Sequence, residues 1–147
     1  MYQHLLVPLD GSELSERAAQ NSLDLARKLG ARITGFVAEP LPPLPHMGSH
    51  PTAYAREADD HLARTEAHAQ DVLKRFKARA DEAGVPFEGR FTRTDAVDDA
   101  IVNTAQDAGC DLIVMVTHGR GAFGELLFGS HTKNVIARSK LPLLVLH

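Results

Sequence analysis

The chain is predicted to be a single α/β domain. The fold is a doubly wound, five-stranded parallel sheet in the order 3-2-1-4-5, a Rossmann-like or flavodoxin-like three-layer sandwich. Three observations carry this. Short apolar runs alternate along the chain with helical patterns, and such alternation builds parallel sheets with helices on both faces and right-handed crossovers. The run Leu112-Ile113-Val114-Met115-Val116-Thr117 is continuously apolar up to its last residue, as a strand covered on both sides must be. Two turn-rich stretches, Asp10-Gly11-Ser12 and the glycine-rich segment after Thr117, follow apolar runs and so fall at the carboxyl ends of strands.

The elements follow in order. His4-Leu5-Leu6-Val7-Pro8-Leu9 is a buried strand that stops at the Asp10-Gly11-Ser12 turn. Ser12 caps the next helix, Glu13 to Leu29, whose apolar face is Ala18, Ala19, Ser22, Leu23, Leu25, Ala26 and Leu29. Arg27 and Lys28 complement its dipole and Gly30 stops it. Arg32 to Ala38 is the second strand. Glu39 to Tyr54 carries Pro40, Pro42, Pro43, Pro45 and Pro51, and is predicted to be an extended, partly mobile connection. His46 and His50 within it lack the further ligands that a metal needs.

Ala58 to Ala83 is the longest predicted helix, with a core stripe of Leu62, Ala69, Leu73, Phe76, Ala80 and Ala83. Its histidines, His61 and His68, are expected to be exposed. Gly84 and Pro86 end it. Phe87 to Arg93 alternates weakly and suits a sheet edge. Ala96 to Ala108 is the next helix, Leu112 to Thr117 the fourth strand, Thr132 to Ser139 a short helix, and Leu143 to Leu146 the last strand.

The bulk figures narrow the function. At 147 residues the chain suits one domain with a sizeable core. A formal net charge of −3 argues against a non-specific nucleic-acid binder. Neither a signal peptide nor a membrane span is legible, so a cytoplasmic protein is expected. Cys110 is the one cysteine, which rules out an internal disulfide, and it is expected to act as a half-buried small hydrophobe.

The stretch from Leu112 to Thr132 concentrates the chemistry. Gly119, Gly121, Gly124 and Gly129 allow left-handed backbone and close approach to a ligand. Ser130 and Thr132 supply hydroxyls, Arg120 and Lys133 positive charge, and His118 and His131 ring nitrogens. A glycine-rich loop running into a helix start is an anion site, so a nucleotide phosphate is expected here. In the order 3-2-1-4-5 the chain reverses between strands 1 and 4. The Asp10 turn and the Gly119 loop therefore meet at the crevice where such sheets bind ligands.

The sequence resembles the universal stress protein family along its whole length. The resemblance rests on Leu6-Val7-Pro8-Leu9-Asp10-Gly11-Ser12 with Ser15 and Ala18, on Asp111-Leu112-Ile113-Val114-Met115, on His118-Gly119-Arg120-Gly121, on Leu127-Phe128-Gly129-Ser130, and on Pro142-Leu143-Leu144-Val145. The ATP-binding branch of that family carries Gly-x2-Gly-x9-Gly-[Ser/Thr]. Gly119, the nine residues Arg120 to Phe128, and Gly129-Ser130 match its second half, while Val116 stands at the first glycine. Either the backbone at Val116 is ordinary and the side chain fits, or the valine narrows the phosphate site.

The resemblance implies an ATP-binding regulatory protein of the stress response. It implies that Pro8, Leu9 and Asp10 border the nucleoside, with Asp10 near the ribose, that Val37 touches the adenine, and that Met115 lines the same site. Gly119, Gly129, Ser130, His131 and Thr132 would hold the phosphates; Arg120 joins them by charge and position. Mg²⁺ can accompany a triphosphate, although no carboxylate cage for it is visible. Simpler roles are available for three of these residues: turn chemistry for Asp10, core packing for Val37 and a helix cap for Ser130. No Gly-Lys-[Ser/Thr] loop or evident general base is present, so weak ATP hydrolysis at most is expected. A member acting by protein contacts alone is the alternative. The family's habit of pairing last strands implies a homodimer through Leu143 to Leu146.

Overall fold

The computed structural model describes residues 1–116 and 128–146, with residues 128–131 described by their backbone alone. The elements are β1 (His4–Leu9), α1 (Glu13–Leu29), β2 (Arg32–Glu39), α2 (Pro51–Ala83), β3 (Phe87–Arg93), α3 (Val97–Asp107), β4 (Leu112–Val116), α4 (Phe128–Arg138) and β5 (Leu143–Leu146). The five strands form one parallel sheet in the order β3-β2-β1-β4-β5, as the alternation of strand and helix patterns requires.

Two apolar layers hold the sheet. On one face Leu5, Val7, Leu9, Ile33 and Val37 pack against Leu23 of α1 and Val72, Leu73 and Phe76 of α2. On the other, Leu6, Phe36, Ile113 and Met115 pack against Ile101 and Val102 of α3 and Val135 of α4. Alternate residues of β1 and β2 serve opposite layers, so a one-residue slip in either strand would exchange the two cores. The register His4↔Arg32 through Leu9↔Val37 fixes the centre of the sheet.

Local signals placed most boundaries. Ser12 Oγ accepts from the Ser15 backbone N–H at 3.2 Å and caps α1. Gly30 and Gly84 end α1 and α2 in the left-handed conformation. Leu29, assigned by spacing to the apolar face of α1, is instead 37% exposed at the helix end.

Two helix starts differ from the sequence expectation. α2 begins at Pro51 rather than Ala58, because Pro51 occupies the first turn, where its missing N–H costs nothing. His50 Nδ1 accepts from the Thr52 N–H at 3.3 Å and caps that turn. The prolines thus exclude a helix only as far as Pro45. α4 begins at Phe128 rather than Thr132, which places Gly129, Ser130 and His131 in its first turn. Smaller differences are the extension of β2 to Glu39 and the limits of α3 at Val97 and Asp107. Thr117 lies outside the described residues.

Candidate functional site

The site is built from the carboxyl ends of β1, β2 and β4 and the start of α4. Sheet order makes β1 and β4 neighbours, with β2 beyond β1 and β5 beyond β4, so their carboxyl ends flank the switch point of the sheet, where such folds take ligands. Pro8 and Leu9 lie level with Phe36 and Val37 across the β1–β2 pair. Leu9, Val37 and Met115 are buried, and Asp10 is exposed just beyond them. The structure therefore brings Pro8, Leu9, Asp10, Val37 and Met115 to one end of the sheet.

Asp10 already has local work. Its Oδ1 accepts the Ser12 N–H at 2.8 Å, and its own N–H donates to Ser15 Oγ at 3.2 Å. This closes a tight Asx turn. Gly11 within it has φ +82, a conformation that penalises any side chain. A Cβ at Gly11 would also meet His68 Nε2 at 2.6 Å and Val72 Cγ2 at 3.0 Å.

Val116 is the last residue of β4, sits opposite Leu146 of β5 and is half-buried. Its backbone is ordinary, since positive φ among the described residues is confined to glycines. Gly119 and Arg120, with His118, Gly121 and Gly124, lie outside the described residues.

The start of α4 contributes the N–H groups that every helix leaves unpaired in its first turn. Gly129, Ser130 and His131 belong to that turn. Thr132 follows and is 6% exposed, and its Oγ1 is buried with no hydrogen-bond partner among the described residues. A buried hydroxyl without a partner is costly, and at a helix start it is suited to an anionic oxygen. α4 is fastened to α3 by Asn134 Nδ2 donating to Asp98 Oδ2 at 2.8 Å and by Arg138 bound to Asp99.

A second cluster beside the crevice escaped the pattern analysis. Glu39 ends β2 with its carboxylate almost wholly buried, and His68 Nδ1 donates to its Oε1 at 2.6 Å. The exposed-histidine expectation holds for about half of the His68 side chain, which is 47% exposed, and fails for its Nδ1 edge. His61 Nε2 donates to the Pro40 carbonyl at 3.2 Å, and Arg93 reaches Thr65 Oγ1 and the Leu62 carbonyl. His61, Thr65, His68 and Val72 follow one another at helical steps of four and three. That polar continuation of the core stripe was the available signal.

The opposite end of the sheet holds a separate buried group. His4 Nε2 shares a hydrogen bond with Thr34 Oγ1 at 2.7 Å. Burial, aided by the nearby Arg32 charge, lowers the His4 pKa below its ordinary 6.5. Cys110 is buried rather than half-buried, at 5% exposure, and burial raises its thiol to about 11. Burial also works on Asp111 in the upward direction. The Gln3 and His4 N–H groups that its carboxylate accepts at 2.9 Å outweigh it and leave the pKa lowered. Among the described residues no group of three or more His, Cys, Asp or Glu side chains is placed to hold a metal ion, and no helix is long and apolar enough to cross a membrane.

A five-stranded parallel sheet of order 3-2-1-4-5 with helices packed on both faces defines a doubly wound, Rossmann-like α/β fold. The chain belongs to the universal stress protein family, whose model matches residues 1–147. It is 31% identical to a universal stress protein of Thermus aquaticus, over 99% of this chain and 98% of that one. It is 30% identical to a universal stress protein of Methanocaldococcus jannaschii, over 99% of this chain and 82% of that one. Among solved structures, UspA of Lactobacillus plantarum superposes with TM-score 0.80 at 20% identity, covering 99% of this chain and 98% of its own. A universal stress protein in complex with cAMP superposes with TM-score 0.68 at 27% identity, covering 99% and 97%.

Proposed function

We propose that this chain is a single nucleotide-binding regulatory domain of the stress response that takes ATP in the crevice between β1 and β4. The observation that carries the proposal is the buried Thr132 hydroxyl in the first turns of α4, which has no partner among the described residues. The family and the solved relative bound to cAMP support an adenine nucleotide as the ligand. Pro8, Leu9 and Asp10 would border the nucleoside and Val37 and Met115 form its apolar floor. The α4 start, with Gly129, Ser130, His131 and Thr132, would hold the phosphates, joined by Gly119 and Arg120. Mg²⁺ would enter only with the triphosphate, carried largely by phosphate oxygens and water.

The chain's own groups bind and orient in this reading. A helix N-terminus and hydroxyls stabilise a phosphate without supplying a base, so the domain reports nucleotide rather than turning it over rapidly. A cytoplasmic homodimer completes the proposal. β5 is the sheet's outer strand, and its half-buried Leu143–Leu146 would pair with a second copy.

The test is nucleotide released by acid from freshly purified protein, followed by ATP titration of the emptied chain. Bound nucleotide or micromolar ATP affinity is expected. Thr132→Val should weaken that affinity roughly tenfold, the value of one hydrogen bond to a charged group. Gly129→Val should weaken it further by crowding the first turn of α4. No binding at millimolar ATP would overturn the proposal and leave a member that acts through protein contacts. Sedimentation of the chain and of a Leu144→Lys variant tests the dimer, which should dissociate in the variant.

A further inference from the structure

The segment between β2 and α2 reads Pro40-Leu41-Pro42-Pro43-Leu44-Pro45 and contains two overlapping Pro-x-x-Pro spacings. Prolines fix φ at four of these six positions, and each residue before a proline is driven to extended backbone. Polyproline II conformation is therefore dictated over nearly the whole hexapeptide. Among the described residues no backbone–backbone hydrogen bond joins positions 40–45 to one another.

The segment is held by its backbone while its side chains stand clear. The Leu41 N–H donates to Asp95 Oδ1 at 3.1 Å, the Pro40 carbonyl accepts from His61, and the Pro43 carbonyl accepts from Tyr54 Oη at 3.0 Å. A turn closed by the Ser49 N–H on the His46 carbonyl at 3.0 Å ends it. Leu41 is 47% exposed and Leu44 86%. Their spacing of three equals one polyproline turn, so they lie along one edge. Pro42 is half-buried, and Pro43 and Pro45 are exposed.

We infer that Pro40–Pro45 is a preformed polyproline ligand for the aromatic-lined groove of a partner protein of the SH3 type. Two apolar-proline pairs, Leu41-Pro42 and Leu44-Pro45, three residues apart, are what such a groove accepts in its adjacent slots. The tethers have already ordered the segment, so little entropy is lost on docking. Among the described residues a second copy of this chain offers no free aromatic groove to read the ridge. The sequence has no Trp. Among the described residues Phe36 and Phe76 are buried, Tyr2, Phe87 and Phe91 pack on the core, and Tyr54 is bound to Pro43.

The probe is a purified SH3 domain of Pro-x-x-Pro specificity, titrated into the isotope-labelled full chain and followed by amide chemical shifts. Shifts confined to residues 41–49 are expected, with saturation at micromolar concentrations. Leu44→Ser should weaken binding about tenfold, from the loss of one buried leucine. Lys74→Ala, on the far side of α2, should leave it unchanged. Absence of shifts at about 1 mM SH3 domain, a concentration that would reveal even millimolar binding, overturns the inference. So does binding that survives the double change Leu41→Ser and Leu44→Ser. Concentration-dependent self-association of the chain that disappears with Leu44→Ser would overturn it in favour of a second copy.

Discussion

His68 Nδ1 lies 2.6 Å from Glu39 Oε1, and the opposite edge of the same imidazole rests on Gly11. One side chain of α2 thus joins the end of β2 to the turn that follows β1. The buried residues of α2 begin at Ala69, so the helix above that point is held to the sheet chiefly by polar tethers, of which His68 is the lowest. The pair ties α2 to that end of the sheet.

Glu39→Gln removes the charge that the imidazole faces while keeping the shape. With half of the His68 side chain in water, the loss should be about 1 kcal/mol, below the roughly 1.5–3 kcal/mol of a hydrogen bond to a charged group because solvent screens the pair. Chemical denaturation should show this, and hydrogen exchange should show faster opening in 58–68 than in 72–80. A cycle combining Glu39→Gln with His68→Ala should return most of that energy as coupling.

Gly11→Ala should cost roughly 1–3 kcal/mol, because the alanine must adopt an unfavourable positive φ and displace the imidazole. His68→Ala in the same chain should recover only the steric part. Full recovery would show that backbone strain at Gly11 contributes nothing.

Gly35 is required for a different reason. A Cβ there would meet the Phe87 ring at 2.8 Å and Phe76 Cδ1 at 3.1 Å, and these rings already pack edge to face with centroids 4.9 Å apart. Gly35→Ala should overpack the layer between β2 and α2 and lower stability by about 1–3 kcal/mol, read as a lower denaturation midpoint.

The buried end of the sheet carries a pH signature. The folded-state pKa of His4 is lowered, so the unfolded chain binds the proton more readily. Stability from this residue is complete above the ordinary value of 6.5 and is lost as pH falls from there toward the folded pKa. Asp111, also lowered, contributes in a separate and more acidic window, below its ordinary 3.8. Between pH 7 and 5 the wild type should therefore lose more melting temperature than His4→Asn. Equal slopes would show that His4 does not titrate on unfolding.

Cys110 should resist thiol reagents in the native chain at pH 8. It is buried and its thiol is raised to about 11, leaving well under one part in a hundred as thiolate. Denaturant should release full reactivity. Rapid modification without unfolding would contradict this burial.

The alternation of elements, the capped start of α1 at Ser12, the helix-ending Gly30 and Gly84 and the edge position of β3 were all legible in the residues, because each rests on local periodicity or turn chemistry. So was the strand order that puts Asp10 at the carboxyl end of β1, beside β4; the Gly119 loop expected to meet it there lies outside the described residues. The start of α2 was not, since the same proline breaks a helix interior and favours its first turn. Nor was the start of α4, because glycines such as Gly129 suit a loop as well as a first helical turn. The Glu39–His68 pair, the burial of Cys110 and the Thr132 hydroxyl, without a partner among the described residues, were decided by the tertiary structure alone. Each depends on which side chains distant in sequence meet across packed layers. Periodicity tells a residue which face it occupies, and only the folded chain tells it what stands opposite.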